Sequence, residues 1–336
     1  MALLDVKHLS VQLQTRQGPA TAVRDLSFTL ARGQTLGLVG ESGCGKSLTA
    51  LALMGLLPDN AEVSGSIRFD QQELVGLADT QLQDLRGNRV GMVFQEPMTA
   101  LNPVQTIGQQ VAEPLRLHRR LAAVPARRQA IALLERVGIA DAARRVDAYP
   151  HQFSGGQRQR ITIAMALACE PDLLIADEPT TALDVTLQAQ ILDLIAGLVE
   201  ERGMALLLIS HDLGVIAQNA QRMLVMYGGS VVESGPTDSV FAQRVHPYTR
   251  GLFNARPQLG TPRGQRLHTI PGQVPELLQL PAGCAFHDRC AWAEPACTQT
   301  RPSLRDCGSA QAGHQAGHPT EHQASCLRQD QLPPQP

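Results

Sequence analysis

The chain has 336 residues, of which 43% are hydrophobic and 18% are charged, so it can bury a sizeable core in one large domain or two. A net charge of −2 and an aromatic content of 3% argue against a nucleic-acid partner, which needs clustered cations or stacking rings. No run approaches the roughly 18 apolar residues of a membrane-spanning helix, and Asp5 interrupts the only N-terminal stretch that resembles a signal peptide. We therefore expect a cytosolic protein that reaches a membrane only through partners.

Alternating apolar runs and helical patterns predict an α/β fold. Residues 11–30 have the pattern of two antiparallel strands that turn at Gly18. Further strands are predicted at Thr35–Val39, Val90–Phe94, Leu173–Ala176, Ala205–Ile209 and Met223–Met226. Helical patterns separate them, and residues 96–160 are predicted to form a helical subdomain. This alternation indicates a mainly parallel sheet covered by helices.

The composition changes after residue 255, where prolines begin to interrupt regular structure. The Gly-, Gln- and His-rich stretch 308–325 and the Pro-rich end 332–336 predict disorder. We assign His314, His318 and His322 to that tail and not to a metal site. The chain is thus divided into residues 1–255 and a small cysteine-containing extension at 256–336.

Residues 40–47 fit the pattern G-x-x-x-x-G-K-[ST] between a predicted strand and a predicted helix. Glycines let backbone N–H groups surround a phosphate, and the helix N-terminus adds a favourable dipole. Lys46 would bind the outer phosphates and Ser47 would bind Mg²⁺. The predicted phosphate-binding residues are Gly40, Glu41, Ser42, Gly43, Cys44, Gly45, Lys46 and Ser47. Cys44 is either a small residue in a tight turn, which we favour, or a thiol activated by Lys46 and the helix N-terminus.

Polar residues follow three of the predicted strands, and the carboxyl ends of parallel strands meet at one edge of a sheet. Asp177 is expected to hold Mg²⁺ through water, together with Ser47 and Gln95. Glu178 is expected to orient and polarise the attacking water, with Gln95 nearby. His211 would contact the γ-phosphate. A solvated amide at Gln95 and a structural histidine at His211 are the alternatives.

These motifs, followed by Ser154-Gly155-Gly156-Gln157 and Ala182-Leu183-Asp184, resemble in their order the ATPase subunit of ABC transporters. The resemblance covers residues 1–255 and implies an ABC-type nucleotide-binding domain with a parallel sheet, an antiparallel β subdomain and a helical subdomain. It also implies a head-to-tail dimer that binds ATP and Mg²⁺ between chains. The motif at 154–157 would then cap the γ-phosphate of the partner's nucleotide, and Asp184 would communicate across the interface.

The family often stacks an aromatic residue on adenine, but the segment we matched to that position, residues 19–23, has none. We expect apolar packing from Val23 in its place, and little discrimination between ATP and GTP.

Further segments resemble the dipeptide/oligopeptide importer ATPases. They are Phe94–Pro103, Tyr149–Phe153 and, in the tail, His246-Pro247-Tyr248-Thr249, Ile270-Pro271-Gly272, Gly283-Cys284 and Arg289-Cys290. The resemblance implies a peripheral subunit on the cytoplasmic face of the bacterial inner membrane. Its partners would be two transmembrane permease subunits, a second related ATPase or a second copy of the chain, and, indirectly, a periplasmic peptide-binding protein. Nickel or glutathione import remains open because the ATPase never contacts the cargo, and a soluble non-transport ABC ATPase is the more distant alternative.

The helical region is expected to dock a short permease helix in an apolar groove. Val104, Ile107 and Val111 are candidate lining residues, although the same residues fit a core equally well.

Four cysteines of the extension, Cys284, Cys290, Cys297 and Cys326, are spaced C-x5-C-x6-C-x28-C, without the closely spaced pairs that zinc sites favour. The resemblance implies a [4Fe–4S] cluster at these positions, because some peptide-importer ATPases carry one there. Zinc and four reduced thiols are the alternatives. Cys307 falls outside this pattern.

Overall fold

The computed structural model describes residues 2–180, 184–255, 269–307 and 322–333. Its strands form a four-stranded sheet in the order β2-β1-β4-β5 and an eight-stranded sheet in the order β11-β12-β10-β9-β3-β8-β7-β6. The strands are β1 (Ala2–Thr15), β2 (Gly18–Ala31), β3 (Thr35–Val39), β4 (Ala61–Phe69), β5 (Gln72–Glu73), β6 (Val90–Val93), β7 (Leu173–Asp177), β8 (Ala205–Ser210), β9 (Arg222–Tyr227), β10 (Ser230–Pro236), β11 (Arg305–Asp306) and β12 (Gln323–Ala324).

Helices connect and cover these strands. They are α1 (Lys46–Met54), α2 (Asp79–Gln83), α3 (Pro97–Ala100), α4 (Ile107–His118), α5 (Ala123–Arg136), α6 (Ala142–Arg145), α7 (Gly155–Ala166), α8 (Val185–Arg202), α9 (Leu213–Asn219), α10 (Thr237–Gln243), α11 (Pro247–Asn254) and α12 (Pro295–Gln299). Single 3₁₀ turns lie at Pro150–Gln152, Leu277–Gln279, His287–Arg289 and Gln329–Gln331. Over the described ranges, no helix combines the length and apolar character required to span a bilayer.

The larger sheet has a parallel centre in which β9, β3, β8, β7 and β6 run side by side. Every residue of β3, β7 and β8 is buried, which explains why their sequences are continuous apolar runs without alternation. The predicted parallel strands are confirmed within a residue or two at their ends. Their carboxyl ends therefore lie along one edge, where the loops after β3, β6, β7 and β8 meet.

Helices α3 to α7 form the insertion between β6 and β7, as predicted. The core of the insertion includes Ile107 and Val111, both fully buried. The expectation that these two residues line an exposed docking groove is therefore wrong, because one face of α4 packs against α5 and α7. Val104, which precedes α4, is 79% exposed and remains on the surface.

The expected disordered tail is wrong for residues 322–325. Residues Gln323–Ala324 form β12, which pairs with β10 and β11. His322 is buried, with Nε2 2.8 Å from Oε1 of the fully buried Glu233. A buried carboxylate needs polar partners, and Glu233 takes one of them from the tail. His314, His318 and the remaining predicted disorder, at 308–321 and 334–336, lie outside the described residues.

Candidate active site

The loop at residues 40–47 turns sharply between β3 and α1. Gly43 and Gly45 adopt φ values of 79° and 100°, in the left-handed region that side chains disfavour. A Cβ at Gly40 would lie 2.3 Å from the Met226 carbonyl oxygen. The loop therefore requires glycine at these positions. It ends at the N-terminus of α1, where the first N–H groups have no hydrogen-bond partner within the helix.

Lys46 is buried beneath this loop. Its Nζ donates to the carbonyl oxygens of Gly40 at 2.8 Å and Glu41 at 3.1 Å. Phosphate oxygens are stronger acceptors for an ammonium group than these carbonyls, so a bound polyphosphate would draw Lys46 towards itself.

Cys44 is fully buried, and burial raises the pKa of its thiol despite the opposing charge of Lys46. Burial and the raised pKa favour the interpretation of Cys44 as a small residue in a tight turn over that of an activated thiol. Cys44 acts as a small residue packed inside the turn.

Asp177 ends β7 and is 4% exposed. Burial raises the pKa of its carboxyl, opposed by a hydrogen bond from Ser47 and the charge of Lys46, while the charge of Glu178 raises it further. Its Oδ1 is buried and has no hydrogen-bond partner. An unsatisfied carboxylate oxygen beside a serine hydroxyl is the donor set that hydrated Mg²⁺ accepts, so these residues fit the predicted ion.

Glu178 follows directly, with a φ of 46° that is unusual for a residue other than glycine. Its N–H donates to the Ile209 carbonyl of β8 at 3.0 Å. Its Oε2 lies 3.2 Å from Gln95 Nε2 and 3.1 Å from His211 Nδ1. The structure thus brings together the side chains that follow β6, β7 and β8, as the sequence predicts.

Ser154 caps the N-terminus of α7. Its Oγ accepts from Gln157 N at 3.3 Å, and its own N–H donates to Gln157 Oε1 at 3.2 Å. Ser154 and Gly155 are exposed, and a Cβ at Gly155 would meet nothing within 4 Å, whereas one at Gly156 would lie 2.1 Å from Leu187 Cδ2. The motif therefore presents a capped helix N-terminus to solvent.

Asp184 caps the N-terminus of α8, as Ser154 caps α7: its side-chain Oδ1 accepts a hydrogen bond from Leu187 N at 3.0 Å. It is exposed, and the neighbouring Ala182 and Leu183 lie outside the described residues.

Val23 is fully buried in the core beneath the loop, next to Gly45. The expectation that it substitutes for an adenine-stacking ring is wrong in this conformation, because it has no surface to offer a base.

Two contacts to the loop were missed by the sequence reading. Arg289 pairs with the Glu41 carboxylate, and Tyr248 Oη accepts from the Glu41 N–H at 2.8 Å. Arg289 is 248 positions from Glu41 in sequence and Tyr248 is 207, so no local pattern links them. The only available signal was the match of both segments to the importer ATPases.

Cys284, Cys290, Cys297 and Cys326 line one small pocket with Phe286 and Trp292. All seven cysteines are free, and Cys307, buried elsewhere, does not line this pocket. Burial raises the pKa of Cys284 to about 11 and raises those of Cys290 and Cys326. Within the described part of the chain, no three His, Cys, Asp or Glu side chains form a group that could hold a metal ion as they stand.

Family profiles match two parts of the chain. The profile described as ABC transporter matches residues 23–181, and the one described as Oligopeptide/dipeptide transporter, C-terminal region, matches residues 232–297. A peptide import ATP-binding protein of Brucella abortus is 50% identical over 320 residues, 95% of this chain and 96% of the relative. A protein of the same description from Brucella melitensis is 52% identical over 314 residues, 90% of this chain and 93% of the relative.

Solved structures resemble about 70% of the chain. A dimeric ATP-binding cassette in a post-hydrolysis state, bound to ADP and phosphate, has a TM-score of 0.63 at 27% identity and covers 70% of this chain and 98% of its own. A subunit of a Clostridium perfringens ABC transporter complex has a TM-score of 0.60 at 28% identity, with 72% and 92% covered.

Proposed function

This chain belongs to the ATP-binding subunits of ABC transporters, and we propose that it hydrolyses ATP to drive peptide import through partner permeases. The observation that carries hydrolysis is the meeting of Gln95, Glu178 and His211 at the sheet edge that also holds the phosphate-binding loop. The support for peptide cargo is the match of residues 232–297 to the oligopeptide/dipeptide transporter C-terminal region and the names of the relatives.

In this proposal each residue has a defined task. The N–H groups of residues 40–47 and Lys46 bind the β- and γ-phosphates. Ser47 and Asp177, with Gln95, would hold Mg²⁺, which supplies charge neutralisation for the phosphates. Glu178 orients the attacking water and accepts its proton. His211 contacts Glu178 through Nδ1 and would also contact the γ-phosphate.

We further propose that hydrolysis requires two chains. Ser154 and Gly155 face solvent at the N-terminus of α7, and the Gly155 N–H and the Ser154 hydroxyl are suited to bind an anion supplied from outside the chain. One solved relative is a dimeric cassette. Gly156 is packed against α8 and Gln157 is occupied as the capping partner, so Ser154 and Gly155 would make the closest contacts to the partner's nucleotide. Asp184 would lie at the same interface.

The proposed permease contact lies on the outer face of the helical insertion. A surface pocket there is lined by residues that include the exposed Val104 and Leu117, flanked by charged residues such as Glu113 and Arg116. Exposed apolar side chains inside a charged rim suit an amphipathic helix. This arrangement would hold the chain at the cytoplasmic face of the inner membrane.

We propose that the four clustered cysteines hold a [4Fe–4S] cluster, with zinc as the alternative. Four thiols converge on one apolar pocket, as cluster ligation requires. A tetrahedral zinc ion with Zn–S bonds of about 2.3 Å would need the sulfurs tightly grouped, whereas each thiolate of a cluster binds a different iron. The spacing of the four cysteines, which lacks the closely spaced pairs typical of zinc sites, favours the cluster over zinc. Iron and sulfide analysis and visible absorption after anaerobic purification test this assignment. Zinc without iron would refute it.

The transport assignment is tested in the organism that encodes the chain. Deleting the gene should abolish uptake of labelled di- and oligopeptides, and wild-type protein should restore it while Glu178→Gln should not. Normal peptide uptake with loss of nickel or glutathione uptake would contradict the cargo. ATP hydrolysis unaffected by Glu178→Gln would contradict the site.

A further inference from the structure

The C-terminal segment places Arg289 directly against the phosphate-binding loop. Its guanidinium donates from Nη1 to Glu41 Oε2 at 2.6 Å and from Nη2 to Glu41 Oε1 at 3.1 Å. Nη1 also donates to Tyr227 Oη at 3.3 Å, and Nε donates to the Pro271 carbonyl at 2.8 Å. The Arg289 side chain is 6% exposed. A two-pronged arginine–carboxylate pair that is largely shielded from water is among the stronger polar contacts in proteins.

Glu41 is consequently fixed at three points. Its carboxylate pairs with Arg289, its N–H donates to Tyr248 Oη at 2.8 Å, and its carbonyl accepts from Lys46 Nζ at 3.1 Å. Two of the three partners come from the part of the chain that follows the last strand of the parallel sheet. The main-chain path of the second loop residue is therefore set by the C-terminal segment as well as by the loop itself.

The ion pair with Arg289 also neutralises the negative charge that Glu41 brings to the phosphate-binding loop. Glu41 carries a carboxylate in a segment proposed to receive a polyanionic phosphate chain. An unpaired carboxylate there would repel the phosphates, and because the Glu41 side chain is 28% exposed, solvent would screen this repulsion only in part. Arg289 cancels this charge without competing for the phosphates, since its donors are already used by Glu41, Tyr227 and two backbone carbonyls.

Arg289 also connects the loop to the cysteine pocket. It directly precedes Cys290, and Phe286, in the same short segment, packs against the rings of Tyr227 and Tyr248 with centroids 5.1 and 5.4 Å apart. The segment that supplies two of the four cysteines is thus the segment that holds Glu41.

We propose that Arg289 is a positioning residue that holds and neutralises Glu41, so that the C-terminal segment sets the nucleotide affinity of the phosphate-binding loop. This rests on the proposed nucleotide-binding role of residues 40–47. It adds a determinant of affinity that lies outside the loop.

The test compares dissociation constants of a fluorescent ATP analogue with Mg²⁺ for full-length variants. Arg289→Gln should bind about tenfold more weakly, because it releases an uncompensated carboxylate beside the phosphates. Adding Glu41→Gln should restore the dissociation constant to within about threefold of wild type, because the repelling charge is gone. Arg328→Gln is the matched control, since Arg328 pairs with Glu294 and the Trp292 carbonyl in the same extension. It should stay within about twofold of wild type.

Three outcomes would overturn the proposal. The first is unchanged affinity in Arg289→Gln. The second is a double variant as weak as Arg289→Gln, and the third is an equal loss in Arg328→Gln; either of these would reduce the contact to a general role in folding the extension. The charge effect also predicts that the loss in Arg289→Gln shrinks as salt concentration rises, which a purely structural defect would not show. If Lys46→Ala binds as tightly as wild type, the assignment of the loop itself fails, and this proposal with it.

Discussion

Replacing Glu178 by glutamine isolates the chemical step. Glutamine keeps the size of the side chain and an oxygen that can accept from Gln95 Nε2, now 3.2 Å from Glu178 Oε2, but it cannot take a proton from water. A positioned general base contributes about 10²- to 10⁴-fold to rate, so kcat should fall by that factor, equivalent to about 2.7–5.4 kcal/mol in the activation barrier. ATP binding should remain, because the phosphate-binding loop is untouched.

The assay is steady-state phosphate release beside equilibrium nucleotide binding. With ATP and Mg²⁺ the variant should also accumulate as a closed dimer in size-exclusion chromatography, because the bound nucleotide is not consumed. Glu170→Gln is a suitable control: Glu170 also has a positive φ, of 51°, but pairs with Arg202 at the surface. A kcat within about threefold of wild type in Glu178→Gln would refute the base assignment, because a positioned general base contributes at least about 10²-fold to the rate.

Three further substitutions test the active site, the proposed dimer contact and an ion-pair network outside the site. Asp177→Asn should abolish Mg²⁺-dependent hydrolysis yet raise the thermal midpoint of the nucleotide-free protein, because burial already disfavours the charged carboxyl; a lower midpoint would contradict this. Gly155→Ala should leave the midpoint unchanged, since a Cβ there meets nothing within 4 Å, but reduce hydrolysis if a partner's nucleotide packs against it. Asp172→Asn should cost about 1–2 kcal/mol at pH 7 by urea unfolding. Partial burial raises the pKa of Asp172, but hydrogen bonds from two arginines, including Arg89 at 2.7 Å, outweigh it and lower the pKa. That stability is present above the unfolded pKa of about 3.9 and disappears as pH falls through the lower folded pKa, so the difference between wild type and variant should shrink as the solution is acidified below about pH 3.9.

The parallel sheet could be predicted because its strands are buried on both faces and therefore appear as short apolar runs. The side chains that follow β6, β7 and β8 could be predicted to meet because parallel strands end at one edge. Residues 61–69 gave no such signal: β4 interleaves exposed polar residues, and Gly65 interrupts it. Strand β10 was not predicted either: it contains Glu233, which is buried among hydrogen-bond partners, and it ends in Gly235-Pro236, a pair typical of turns.

Other features depend on contacts that no local pattern encodes. The apolar face of α4 predicted burial, but the sequence gives no means to distinguish packing on α5 and α7 from an exposed groove, so Ile107 and Val111 were ambiguous. The Arg289–Glu41 pair joins residues that are distant in sequence, and neither residue is unusual in its own segment. Histidine 322 was read as part of a polar tail because its partner, Glu233, lies 89 positions away.

The short strand β12 also determines what a shortened version of this protein would expose. It covers one edge of the large sheet by pairing with β10, and the buried contact between His322 and Glu233 fastens it there. An uncovered strand edge offers free N–H and C=O groups to any other extended chain. Cutting the protein after residue 307 would remove Cys326 and also open that edge to intermolecular pairing. Such a fragment is therefore expected to aggregate through the exposed edge of β10.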